Sequence, residues 1–255
     1  MAGSDVVVII PARMAATRLP GKPLADIAGE PMIVHVMRRA EEADVGPVVV
    51  ATDSKDIAAA VERAGGHAVM TRADHPSGSD RLFEALGRID PAGRIAFVVN
   101  VQGDLPTLAP ADIGAALALL EDPAVAVGTL AAQLRAGEDS NPNVVKVFEA
   151  VRAAAGSGSK LRGCDFSRTY PKGGNAYHHI GLYAYRRDVL AAFVALAPSP
   201  RERAEKLEQL RLIEDGHRID AAIVDSVPLG VDTPEDLETA RRILAKVDSR
   251  ATGQP

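Results

Sequence analysis

Short runs of β-branched residues alternate with amphipathic stretches through the first half of the chain. Val6 to Ile10 is an unbroken apolar run closed by Pro11, the pattern of a strand buried on both faces. From Pro31 to Ala43 the apolar residues Met32, Ile33, Val36, Met37 and Ala40 form a stripe, which predicts a helix with Pro31 in its first turn. Val48 to Thr52 repeats the buried-strand pattern, and Asp53-Ser54 offers a cap to a helix that Gly65-Gly66 ends. A short strand near 67–70, a helix from about Asp80 to Ile89 and a third buried strand from Ile95 to Val101 follow. Gln102 to Leu108 reads as the loop at that strand's C-terminal end, and Ala111 to Leu120 as the next helix.

The second half is less regular. Val125 to Gln133, Val144 to Phe148 and His179 to Tyr185 read as strands, while Ala153 to Gly163 is small, polar and glycine-rich, the composition of a mobile loop. Helices are expected near 187–196 and 201–214, a strand at 219–224, a last helix from Pro234 to about Lys246, and a frayed tail at 249–255. Repeated strand–helix units predict an α/β fold, a mostly parallel mixed sheet with helices on both faces. The expected organisation is one domain over 1–248 with a small subdomain within about 134–216. Ligands of such sheets bind at the C-terminal strand ends, which directs attention to loops 11–22, 71–80, 102–108 and 230–234.

Composition narrows the function. With 255 residues, 47% hydrophobic and 25% charged, the chain has material for a large core and needs no disulfide or metal to fold. Its net charge of −5 and 4% aromatic content argue against a nucleic-acid or anionic-membrane surface but allow a local basic pocket. Cys164 is the single cysteine, so an internal disulfide and thiolate metal clusters are excluded. No apolar run approaches the ~18 residues of a membrane span. MAGSDVVVIIPARM has no basic residue before its apolar run, so no signal peptide is expected and the predicted location is the cytoplasm.

The loop PARMAATRLPGKPL places Arg13, Arg18 and Lys22 within ten residues, directly after a buried strand. Two guanidiniums and one ammonium in a turn-rich segment suit a polyphosphate, although no Walker A spacing is present; a plain solvated basic loop is the other reading. Asp104 ends a strand in Asn100-Val101-Gln102-Gly103-Asp104-Leu105-Pro106, where it can ligate a hard cation such as Mg²⁺ or simply close a turn. In Gly230-Val231-Asp232-Thr233-Pro234-Glu235-Asp236, Thr233, Pro234 and Asp236 make a capping-box variant that leaves Asp232 free. If both strands end on one sheet edge, the two carboxylates can share a Mg²⁺ with substrate phosphates, an arrangement suited to nucleotidyl transfer.

Other candidates have competing plain readings. His75-Pro76-Ser77-Gly78-Ser79-Asp80-Arg81 is a turn into a helix that can hold a nucleotide or merely cap. His178 and His179 lie adjacent on a strand and face opposite ways, so they are no metal pair. Tyr183 and Tyr185 share a strand face, and Glu208-Gln209 falls mid-helix in a charged stretch. Cys164 has no nucleophile context.

Together IPARMAATRLPGKPL, HPSGSDR, NVQGD-x-P, NPNVVKV, HHIGLYAYR, KLEQLR and GVDTPEDL, in that order from residue 9 to residue 237, resemble the 3-deoxy-manno-octulosonate (Kdo) cytidylyltransferase family. The resemblance implies a nucleotide-diphospho-sugar transferase-like fold, the reaction CTP + Kdo → CMP-Kdo + pyrophosphate for lipopolysaccharide inner-core synthesis, and a homodimer whose contacts lie partly in the second half. It implies that Asp104 and Asp232 hold Mg²⁺ and that Arg13, Arg18 and Lys22 neutralise the CTP phosphates. Ser77, Gly78, Asp80 and Arg81 would lie near the nucleotide, and Gln102, Arg168, His179, Tyr183, Glu208 and Gln209 would shape the sugar pocket. The chain departs from the family pattern at Leu105, where Glu is common, and at His178. Alternatives are a cytidylyltransferase for a related acidic sugar, such as 8-amino-Kdo or a sialic acid, and a non-catalytic nucleotide sensor.

Overall fold

The computed structural model describes residues 5–15, 18–150, 160–169 and 175–251. In chain order the elements begin β1 (Val6–Ala12), β2 (Asp26–Ile27), β3 (Glu30–Pro31), α1 (Met32–Glu42), β4 (Val48–Thr52), α2 (Lys55–Arg63), β5 (Ala68–Met70) and α3 (Gly78–Ile89). They continue with β6 (Phe97–Asn100), α4 (Pro110–Ala118), β7 (Val127–Ala132), β8 (Lys146–Glu149), β9 (Lys160–Leu161), β10 (Cys164–Ser167) and β11 (Tyr177–Arg186). The chain closes with α5 (Arg187–Ala195), α6 (Pro200–Glu205), α7 (Leu210–Glu214), β12 (Ile219–Ile223) and α8 (Pro234–Ala251). It divides into two compact units, one of residues 1–96, 100–113 and 228–255, the other of 97–99 and 114–227.

In the first unit β5, β4 and β1 pair in parallel, with Val8 to Ala12 in register against Val48 to Thr52. Val7 to Ile10 are at most 1% exposed, as an unbroken β-branched run requires. The caps behave as their residue types dictate: Ser54 accepts from Ile57 N at the start of α2, and Ser77 from Asp80 N at the start of α3. That second cap starts α3 at Gly78, two residues before the expected Asp80. Ile27, Met32, Val231, Leu237, Ala240 and Leu244 form one buried cluster, with Leu19 and Leu229 packed on it. This cluster fastens α8 and the segment before it to the start of α1, and so fixes where Asp232 lies.

The second unit carries a mixed sheet. β7 pairs antiparallel with β11 and parallel with β12, β9 lies antiparallel on β12, and β8 joins β10 and β11. Parallel pairing of β5, β4 and β1 in the first unit, beside the small antiparallel pair β2–β3, and mixed pairing in the second make the α/β, mostly parallel sheet that the strand–helix alternation predicts. Gly128 on β7 is required by close packing: a Cβ there would stand 2.2 Å from the Ala116 carbonyl oxygen of α4. Two expectations fail here. The helix expected over 201–214 is broken into α6 and α7, because Lys206 takes a left-handed conformation with φ of 55°. Within the loop expected at 153–163, Lys160–Leu161 is a strand paired to β12, while 153–159 lie outside the described residues. α8 continues to Ala251, and 252–255 are likewise outside them.

Candidate active site

The first unit gathers its loops around the end of β1. A Cβ on Gly103 would stand 3.0 Å from the Pro11 carbonyl oxygen, and one on Gly78 3.8 Å from Pro11 Cγ. The 102–108 loop and the start of α3 therefore both pack on the residue that ends the apolar run. Gly103 has no side chain because the backbone passes too close for one, and this places its neighbour Asp104 beside the β1 end.

Lys22 is delivered from another direction. Gly21, with φ of 71°, turns the chain into the short helical turn Lys22–Leu24. Lys22 Nζ donates to Asp104 Oδ2 at 2.8 Å, to Asp232 Oδ1 at 3.0 Å and to the Val231 carbonyl at 3.0 Å, which uses its three N–H groups. Arg18 Nη2 donates to the other Asp232 oxygen at 2.8 Å. Val231 N donates to the Asp104 carbonyl at 2.9 Å, which ties the two acidic loops together directly. Burial works against the Lys22 charge, but Asp104 and Asp232 outweigh it and raise the ammonium's pKa, so Lys22 stays cationic. Arg13 is exposed.

Asp232 is free of its helix for the reason the capping box gives. Asp236 Oδ2 accepts from the backbone N–H groups of Asp232 and Thr233, and Thr233 Oγ1 accepts from Asp236 N. One ammonium reaches both carboxylates, so a single cation can touch both, and their hard oxygens match Mg²⁺. Among the described residues no group of three or more His, Cys, Asp or Glu could hold a metal by itself. An ion at Asp104 and Asp232 would draw its other ligands from phosphate and water. Leu105, the departure from the family pattern, is 9% exposed and faces Gly230, whose Cβ would lie 3.8 Å from Leu105 Cδ2. It packs the two acidic loops together.

The 71–81 segment is tied mostly to itself. Ser77 Oγ donates to Asp80 Oδ2 at 2.7 Å, so both residues are engaged in capping α3. Arg81 is 3% exposed, and its guanidinium donates to Thr71 Oγ1 at 2.6 Å and Asp53 Oδ2 at 2.9 Å. The structure thus commits Arg81 to holding the strand ends of β4 and β5. Glu84 accepts from Arg72 N at 3.0 Å, from Arg88 and from His75 Nε2. Burial pushes its carboxyl up, but those three donors prevail and lower it to about 2. The sequence marks Asp53 only as part of a helix cap and His75 only as part of the 75–81 turn. For Glu84 the one signal is its spacing to Arg88, four residues apart on a helix.

The second unit holds the other expected residues. His179 is buried, its ring edge-on to Phe166 at 4.8 Å and tilted against Tyr183 at 5.5 Å, with Nε2 3.1 Å from Thr129 Oγ1. Burial, with the neighbouring His178, lowers its pKa to about 3, so the ring is neutral. His178 faces away and meets Glu138 Oε2 at 3.0 Å, as adjacent strand positions require. Tyr183 stacks on Tyr185 at 5.8 Å, and burial pushes both phenols upward. Arg168 donates to the carbonyls of Glu205 at 2.7 Å and Pro142 at 3.1 Å. Lys146 of NPNVVKV is fully buried, its Nζ donating to the Asn141 and Arg168 carbonyls at 2.6 and 3.0 Å, and burial lowers its pKa. Glu208 and Gln209 lie in the turn between α6 and α7, not mid-helix as expected. Cys164 is buried and burial raises its thiol, which agrees with a residue outside the chemistry. Among the described residues no helix is long and apolar enough to cross a membrane.

The model of a family described as cytidylyltransferase matches residues 7–219. The chain is 65% identical over 249 residues to a 3-deoxy-manno-octulosonate cytidylyltransferase of Afipia carboxidovorans, covering 96% of this chain and 99% of that one. It is 63% identical over 248 residues to the protein of the same name from Rhodopseudomonas palustris, covering 96% and 99%. Among solved structures it is similar to CMP:2-keto-3-deoxy-manno-octonic acid synthetase complexed with CTP. The TM-score there is 0.85 at 41% identity, over 95% of this chain and 99% of that one.

Proposed function

Because the chain belongs to the 3-deoxy-manno-octulosonate cytidylyltransferases of the cytidylyltransferase family, we propose that its folded site performs CTP + Kdo → CMP-Kdo + pyrophosphate. The reaction activates an acidic sugar for lipopolysaccharide synthesis. The observation that carries the site assignment is the convergence of Asp104, Asp232, Lys22 and Arg18 at one point.

Charge explains why such a point is needed. The CTP triphosphate carries about four negative charges and Kdo adds a carboxylate, so the substrates repel until cations intervene. Lys22, Arg18 and Arg13 supply them, the guanidiniums by forking onto phosphate oxygens. Asp104 and Asp232 are the residues that would hold Mg²⁺. When bound there, it supplies Lewis-acid stabilisation to phosphate oxygens and acidity to a coordinated hydroxyl.

Attack of the anomeric hydroxyl oxygen on the α-phosphorus forms the new P–O bond as the bond to pyrophosphate breaks. The cationic residues stabilise charge on the equatorial and leaving oxygens. Holding both reactants in line supplies roughly 7–11 kcal/mol of barrier reduction. His179, neutral and buried, is placed to orient by hydrogen bonding and not to titrate. Ser77 and Gly78, which start α3 beside the β1 end, are assigned to the nucleotide, and Asp80 and Arg81 to shaping that loop. Gln102, Tyr183, Glu208 and Gln209 are assigned to the sugar, and Arg168 to bracing the turn that bears the last two. A Mg²⁺ requirement, a homodimeric assembly and a cytoplasmic location complete the reading.

The test is pyrophosphate release across the four common NTPs and a panel of acidic sugars including Kdo and 8-amino-Kdo. Turnover confined to CTP with Kdo is expected. Equal rates with an amino-substituted sugar would favour the related-sugar reading, and no turnover with any pair would favour a sensor.

A further inference from the structure

The motif KLEQLR ends in an arginine to which neither the sequence reading nor the site just described gives a role. Arg211 grips Glu202 with a fork, Nε to Oε2 at 2.8 Å and Nη2 to Oε1 at 2.6 Å. Its remaining terminal nitrogen, Nη1, donates to the carbonyls of Leu196 at 3.0 Å and Phe193 at 3.2 Å, which end α5. Its guanidinium also lies 5.0 Å from the centre of the Phe193 ring. Glu202 is 8% exposed and doubles as the third residue of the α6 capping box with Ser199. The pair therefore links α6 to α7 across the turn 206–209, the turn that carries Glu208 and Gln209. Arg168 braces the same turn from β10, through the carbonyls of Glu205 and Lys206 at 2.7 and 3.5 Å.

Two observations say what the brace is for. Gln209 is 5% exposed, yet its Nε2 has no hydrogen-bond partner among the described residues. A buried amide donor left without an acceptor is costly, which points to an acceptor supplied from outside the fold. Phe193, gripped by Arg211, stacks on Tyr185 at 6.1 Å, and Tyr185 on Tyr183, which meets His179. One packed series thus runs from the Arg211 anchor to Tyr183 and His179.

We propose that Glu202 and Arg211 are positioning residues that hold the 206–209 turn so that the Gln209 amide donates to the acidic sugar. This rests on the reading of Gln209 as a sugar contact. A brace of this kind sets recognition of the sugar and leaves recognition of CTP untouched.

The experiment uses the full-length enzyme and separate titrations of Kdo and CTP. E202Q keeps a residue that serves equally well in a capping box but replaces one carboxylate oxygen with an amide donor facing the guanidinium. R211K keeps the charge but loses the fork. Both variants are expected to raise the KM for Kdo roughly tenfold or more, with the KM for CTP within about twofold of wild type. Thermal melts identify a variant that has failed to fold, in which case the other decides. Parallel rises in both KM values, or no rise for Kdo in a folded variant, would overturn the proposal. Q209L separates the two layers: if it raises the Kdo KM while E202Q and R211K do not, only the positioning role fails. If Q209L leaves the Kdo KM unchanged, the reading of Gln209 as a sugar contact fails, and the proposal with it.

Discussion

Asp104 and Asp232, borne on loops far apart in the chain, bind one and the same ammonium, Lys22 Nζ, at 2.8 and 3.0 Å. The two oxygens are thus separated by no more than the sum of those distances.

Replacing either acid should leave the fold and stop the chemistry. Asp104→Ala and Asp232→Ala are each expected to lower pyrophosphate release roughly 100-fold or more, with thermal midpoints close to wild type because both side chains are partly exposed. Steady-state assays alongside melting curves check this. Normal turnover in either variant would remove that residue from the site.

Gly128 is set by close packing. Gly128→Ala drives a methyl against the Ala116 carbonyl at 2.2 Å, backbone against a rigid strand, so α4 must move away from β7. A loss of about 2 kcal/mol or more is expected in denaturant titration, with substrate KM values unchanged in whatever fraction remains folded.

His179 should make the protein acid-sensitive. Burial lowers its pKa to about 3, well below the ordinary 6.5, so the unfolded chain binds a proton that the folded chain refuses. Its contribution is therefore lost progressively as pH falls below about 6.5, on the order of 1 kcal/mol per pH unit until the folded pKa is reached. The wild type should lose stability faster than H179Q between pH 6.5 and 4. Equal slopes would show that the ring is reached by water.

Glu84 works in a lower window. Its folded pKa of about 2 lies below the ordinary 4.5, so its donors stabilise the fold fully above that ordinary value. Their contribution disappears as pH falls from 4.5 towards 2. The stability gap between wild type and E84Q should be flat above about pH 5.5, on the order of 1 kcal/mol, and should close in that acid range. A gap that persists unchanged at pH 2.5 would assign the effect to packing.

How much of this was legible beforehand follows the range of the interactions. Val6 to Ile10, the caps at Ser54 and Thr233, and the facing of Tyr183 towards Tyr185 are decided by neighbours within a few residues, so periodicity and residue type suffice to read them. The break between α6 and α7 was invisible because residues 201–214 carry no glycine or proline. It lies at the left-handed Lys206, next to Glu205, whose carbonyl accepts from Arg168, a partner 37 residues away. The family resemblance put Arg81 near the nucleotide. The structure buries it against Asp53, a partner 28 residues away, where a charged pair satisfies the buried guanidinium.

The order of strands and helices, the turn chemistry and the identity of the acidic and basic candidates were already determined by the sequence, since propensity and patterning act locally. Only the tertiary structure decided which of those charges meet. Packing of Ile27, Met32, Val231 and Leu237 sets the distance between Asp232 and Lys22, and that burial is a property of the assembled core.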